Sequence, residues 1–210
     1  MMMTSVYELW QIFKRPAIIG ASGLLLALNI TIVGLIEFEL ANIQPEYSLL
    51  EQIRDNTRSL LVGLLNAELG VRGYIITGDS VYLTPYQAGS LEILDQLKAL
   101  QRLPLSTSQR YEAGQLASQL NAQMQILASL IDVRQANGLS AAGVQLANGQ
   151  EKIGLDALRS SIGNRIDSVS TAMLALQRDG KTYQTVETYC MIFSAFWLYM
   201  VIFLSARRPR

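Results

Sequence analysis

The sequence predicts an all-α chain, an antiparallel four-helix bundle flanked by two transmembrane helices. Three observations predict it. Through the middle of the chain apolar residues recur at alternating steps of three and four, and no stretch of matching length alternates with the period of a strand. Two apolar runs without charge lie near the two ends. The breaks between the apolar stripes are short, so consecutive helices must fold back on one another.

The first apolar run, Ala17 to Ile36, reads AIIGASGLLLALNITIVGLI. At about 1.5 Å per residue it reaches about 30 Å, the thickness of a bilayer's hydrocarbon core. Its apolar core is longer than that of a signal peptide, and no small-x-small cleavage site follows it, so it reads as a span. The second run, Thr188 to Ala206, is of similar length. Lys14 and Arg15 precede the first run, and Arg207, Arg208 and Arg210 follow the second. Between them, Glu37 to Glu187 hold 12 basic and 16 acidic residues. By the positive-inside rule both termini are cytoplasmic and residues 37–187 are extracytoplasmic. The predicted order is a cytoplasmic segment 1–16, a span 17–36, the outer bundle 37–187, a span 188–206 and a cytoplasmic tail 207–210. Val6, Leu9, Trp10, Ile12 and Phe13 form an apolar stripe that suits a short helix lying on the inner membrane surface. Asn29 and Thr31 read as tolerated polar residues in the first span rather than as contacts to another helix.

Four stripes make up the middle: Leu50 to Val71, Leu83 to Leu100, Leu116 to Ile131 and Leu155 to Leu176. Each is one apolar face of an amphipathic helix, too narrow to stand alone. Gly78 suits the left-handed residue that ends the first helix, and Thr84-Pro85 reads as a cap and first position of the second. Leu103-Pro104 ends the second, and Ser106 with Gln109 has capping-box spacing for the third. Asn137-Gly138 ends the third, with Ser140 as the cap of the fourth.

Composition removes whole classes of chemistry. There is no histidine and one cysteine, Cys190, so disulfides, His-containing metal sites and Ser–His or Cys–His nucleophile pairs are excluded. Basic and acidic residues balance at 17 each, with no basic stripe carrying aromatics, which argues against nucleic acid as a partner. Neither a glycine-rich phosphate loop nor calcium-loop spacing is present. The expectation is a protein that is not an enzyme, with no catalytic residue, metal or cofactor.

Ala67 to Tyr86 reads AELGVRGYIITGDSVYLTPY. This segment resembles the signature of the third CHASE-type domain, an extracytoplasmic sensory module of bacterial histidine kinases, cyclases and chemoreceptors. The matching positions are Ala67, Glu68, Arg72, Gly73, Tyr74, Thr77, Gly78, Asp79, Tyr82, Leu83, Pro85 and Tyr86. A weaker likeness runs through Gly138-Leu139-Ser140-Ala141-Ala142 and Leu155-Asp156-Ala157-Leu158-Arg159. The resemblance implies a four-helix bundle between two spans, working as a homodimer or with a partner membrane protein. In that family an output domain usually follows the second span, whereas here the sequence stops at Arg210. The expected function is therefore signal input or partner binding, with membrane lipid and a receptor or larger membrane complex as partners. A small structural subunit, or the input half of a histidine kinase or cyclase receptor, stands as the alternative.

Within the signature, Arg72, Tyr74, Thr77 and Asp79 are the candidate ligand- or partner-binding residues. Glu68, Gly73, Gly78 and Pro85 are the candidate structural ones. Glu68 and Arg72, four apart with the acid first, form a helical ion pair. The competing role for the same residues is structural, with Gly73 admitting a neighbouring helix and Asp79 or Thr84 capping the second helix. Tyr47, Tyr74, Tyr82, Tyr86 and Tyr111 either line a pocket or pack in the core. Asn42 to Pro45 and Asp179-Gly180 are expected to interrupt the helices at the two junctions between spans and bundle.

Overall fold

A computed structural model of the chain describes the backbone of residues 3–206 and the side chains of residues 20, 22–200, 202 and 203. Among the described residues there is no strand. The elements are α1 (Met3–Thr77), α2 (Leu83–Arg102), α3 (Thr107–Ala147) and α4 (Gln150–Ala206), with one 3₁₀ turn at Ser80–Tyr82. The side chains of Lys14, Arg15, Arg207, Arg208 and Arg210, and the Val6–Phe13 stripe, lie outside the described residues. Two compact units form, one from Tyr47–Leu174 and one from the two chain ends, Met1–Glu46 with Ala175–Arg210.

The Tyr47–Leu174 unit is a helical bundle with two adjoining cores. Leu60 and Leu64 of α1 meet Ile93 and Leu100 of α2, Leu116 and Leu120 of α3, and Leu155, Leu158 and Ile162 of α4. Farther along, Ala67, Val71, Tyr74 and Ile75 meet Leu127, Leu130, Ile131 and Ala142, and Met124 packs against both groups. The first predicted stripe, Leu50, Ile53, Thr57, Leu60, Leu64, Ala67 and Val71, is buried throughout. A fully buried leucine contributes about 1.5–3 kcal/mol relative to an exposed one, so these stripes are what hold the helices together.

Where α1 and α2 meet, glycine replaces side chains. A Cβ at Gly89 would run into the Gly63 carbonyl and lie 2.9 Å from the Ala67 nitrogen; one at Gly70 would lie 2.7 Å from the Tyr86 nitrogen. The two backbones are therefore in direct contact. The pairing descends α2 as it ascends α1, from Gly63 with Gly89 to Gly70 with Tyr82 and Tyr86.

The helix ends follow local chemistry, with two corrections. Gly78 ends α1 at φ 73°, and its N–H donates to the Tyr74 carbonyl. Leu103, held extended before Pro104, ends α2. Ser106 and Gln109 form a complete capping box at α3. Thr84-Pro85, however, does not open α2. That helix starts at Leu83 behind Tyr82 with no side-chain cap, and Asp79 caps the 3₁₀ turn instead by accepting from the Val81 N–H. Pro85 sits inside the first turn, where a missing N–H leaves no bond unmade. The second correction concerns Ser140. Gly138 does break the helix (φ 79°, ψ −173°), but a short helical piece, 139–147, follows it. A second left-handed glycine, Gly149, then precedes the true start of α4 at Gln150.

Among the described residues, Ser22–Thr77 includes the one stretch long and apolar enough to cross a membrane, with a mean hydropathy of 2.0. Leu24, Ile30, Leu35, Phe193, Phe196 and Tyr199 are all exposed. The Asn29 side-chain amide donates to the Cys190 carbonyl at 3.3 Å, which corrects the expectation that it has no interhelical role. Ser194 donates to the same carbonyl at 2.7 Å, whereas Thr31 bonds only its own helix at Ala27. The expected interruptions are absent too, since residues 42–45 lie within α1 and residues 179–180 within α4. A helix-interior proline costs about 3 kcal/mol, and α1 carries Pro45 at an exposed position.

Candidate functional site

The signature residues occupy two neighbouring settings in the bundle. The first is a charged cluster set among apolar neighbours. Glu68 and Arg72 pair along α1 at 3.0 Å, as their spacing dictates. Arg72 reaches on to Glu151 in the first turn of α4 at 3.3 Å. Arg159, two turns farther along α4, pairs with the other oxygen of Glu68 and with Asp156 at 3.5 Å. Gln123 of α3, itself buried, donates to the Glu151 carbonyl at 3.1 Å. Three helices are thus joined through one polar knot.

Its electrostatics are lopsided. The Glu68 and Glu151 side chains are 5% and 3% exposed, whereas Arg72 and Arg159 are 41% and 37% exposed. The carboxylates are sunk and the guanidinium groups reach in from the rim, burying their stems on the way. Burial pushes the Glu68 carboxyl above its ordinary range. Arg72 and Arg159 oppose that rise, and Glu151 and Asp156 add to it. One Glu151 oxygen and the Nε atoms of Arg72 and Arg159 are buried without a protein partner. Such groups are costly in a low-dielectric setting, so the knot is bound to a narrow geometry.

The second setting is the turn after α1. The Thr77 hydroxyl donates to the Gly73 carbonyl at 2.8 Å and accepts from the Asp79 N–H at 3.1 Å. Asp79 in turn accepts from Val81 at 2.9 Å. Arg134 of α3 donates to the Ile75 carbonyl at 2.8 Å, satisfying an acceptor that the helix end leaves open. Both Thr77 and Asp79 are exposed, while Tyr74 is buried among Val71, Ile75 and Leu127. The Tyr82 ring lies over Gly73, where a Cβ would come within 2.5 Å of it. The structure therefore joins Thr77 to Asp79 and Arg72 to Glu68, and puts Tyr74 in the core. Tyr111 is exposed and Tyr86 half-buried, so the tyrosines share no single pocket.

Sequence reasoning missed Glu151, Gln123 and Arg134. Asn148-Gly149 repeats the turn dipeptide seen at Asn137-Gly138 and was the available sign that a helix begins at 150, with an acid in its first turn. Nothing in the sequence announces that Gln123 or Arg134 faces a neighbour.

A family model, the CHASE3 domain, matches residues 46–178, more than half of the chain. The chain belongs to the CHASE3 family. The CHASE3 match runs through all four helices of the Tyr47–Leu174 unit and includes every member of the charged knot. CHASE3 domains are sensory modules, usually found in signalling receptors. No curated protein and no solved structure matches the chain.

Proposed function

We propose that this chain is a non-enzymatic membrane protein whose antiparallel CHASE3 bundle lies outside the membrane and serves as a signal-input or partner-binding module. Residues 17–36 and 188–206 are its two spans, with both termini in the cytoplasm. Output comes from lateral association, as a homodimer or with a partner membrane protein. The observation that carries this reading is the CHASE3 match over 46–178 directly beside an apolar stretch able to cross a bilayer. In this reading the Thr77–Asp79 turn is the part of the signature open to a ligand or partner. Arg72 and Tyr74 act behind it, holding α1 against α4 and the core.

The test is affinity purification from native membranes in mild detergent, with mass spectrometry of what accompanies the chain. Recovery of a kinase, cyclase or chemoreceptor supports the signalling role. Stoichiometric recovery of an unrelated large assembly overturns it in favour of a structural subunit.

A further inference from the structure

A cavity of about 300 Å³ opens between the end of α2 and the start of α3, away from the charged knot. Leu97, Leu100 and Leu105 form its apolar wall, and Gly114 with Ala117 provides the room on the α3 side. Gly114 is exposed, and a Cβ there would meet nothing within 4 Å, so the cavity stands open to solvent on that side. The cavity is at the lower end of the range of small-molecule sites, about 300–1,000 Å³, and is too small for a two-chain lipid.

Its charge is one-sided. Arg110 lines it and no carboxylate does. Among the described residues Arg110 has no carboxylate partner. Arg110 is itself exposed, and the one bond its guanidinium makes among the described residues is a long 3.4 Å contact from Nη2 to the Leu105 carbonyl. An adjoining cavity shares Leu100 and Leu105 as walls, but its charges, Glu112 and Arg165, are already paired at 3.3 Å. Arg110 is thus a cation with unspent donors beside an apolar hollow, tied weakly to the buried residue that forms part of the wall. A carboxylate would offer it a shorter, charge-assisted bond than the Leu105 carbonyl does.

We propose that this cavity binds a small free monocarboxylate with an apolar body, the body against Leu97, Leu100 and Leu105 and the carboxylate on Arg110. The occupant gives the sensory reading a ligand class, and the inference rests on that reading only for its biological meaning. Failure to bind would leave association with a signalling partner untouched.

The full chain in phosphatidylcholine nanodiscs, titrated with octanoate in a calorimeter against empty nanodiscs, tests it. Saturable binding of one octanoate per chain is expected, with none for octylammonium. Arg110→Gln should weaken octanoate binding about tenfold or more, the scale of one charge-assisted hydrogen bond. Gly114→Leu should abolish it by filling the space, and as a better helix former than glycine it should leave the far-UV circular dichroism intact. No saturable signal above empty nanodiscs, equal binding of octylammonium, or full affinity retained in either variant would overturn the proposal.

Discussion

Glu68 has two guanidinium partners and still sits where its charge is disfavoured, because desolvation outweighs both attractions. The consequence for pH has a definite sign. A carboxyl whose folded pKa lies above its unfolded value binds protons more tightly in the native state. Its contribution to stability is then greatest below about pH 4.5 and declines as pH rises through the folded value. Glu68→Gln removes this titration. The melting temperature of the wild type, relative to Glu68→Gln, should therefore fall as pH increases from 4.5, measured by circular dichroism on the solubilised chain. A gap that moves in favour of the wild type with rising pH would show that the ion pairs dominate. Glu151 argues differently, because it is the deeper charge and Arg72 is its ion-pair partner among the described residues. Arg72→Met strands it, at a cost of about 3 kcal/mol, the low end for a broken buried pair because Arg72 itself is partly exposed. Adding Glu151→Gln should recover part of that loss in chemical denaturation. Strict additivity of the two substitutions would mean they do not interact.

At the scale of elements, glycines with opposite environments separate packing from propensity. Gly89 lies against the α1 backbone, so Gly89→Ala must push two helices apart and should destabilise by about 2 kcal/mol, as overpacking does. Gly163, in α4, has nothing within 4 Å of an added Cβ, and Gly163→Ala should instead stabilise by up to about 1 kcal/mol through helix propensity. Denaturant midpoints of the two variants check this, and equal shifts would mean that α1 and α2 are not in backbone contact. The same elements show what a sequence discloses. The Leu50–Val71 stripe was readable because core burial imposes a spacing of three and four, and the Ser106–Gln109 capping box because both partners lie within one turn. Arg72 with Glu151 was not, since 79 residues separate them and their meeting depends on how far α4 is displaced along α1. The unbroken helix through Pro45 was misread because local propensity argues for a break there, whereas α1 runs on through it at an exposed position.

At the scale of the whole molecule, charge distribution is the feature that bears on orientation. The chain is neutral overall, yet residues 37–187 carry 12 basic against 16 acidic groups, and the segments outside the two apolar runs hold five basic residues against one acid. Translocation retains clustered lysine and arginine beside short spans on the cytoplasmic side, so the proposed topology puts the CHASE3 bundle outside. Accessibility to a membrane-impermeant maleimide tests this in intact cells, with Cys190→Ser as the silent background. Gln87 is exposed on α2, and Gln87→Cys should label from outside without permeabilisation. Ser5→Cys, ahead of Lys14 and Arg15, should label only after the membrane is opened. Labelling of both sites in intact cells would place the N-terminus outside and remove one of the two spans, because an even number of crossings keeps the termini together and separates them from the bundle. Protection of Gln87→Cys with labelling of Ser5→Cys would invert the topology. The bundle would then face the cytoplasm, and an extracytoplasmic input role could not stand.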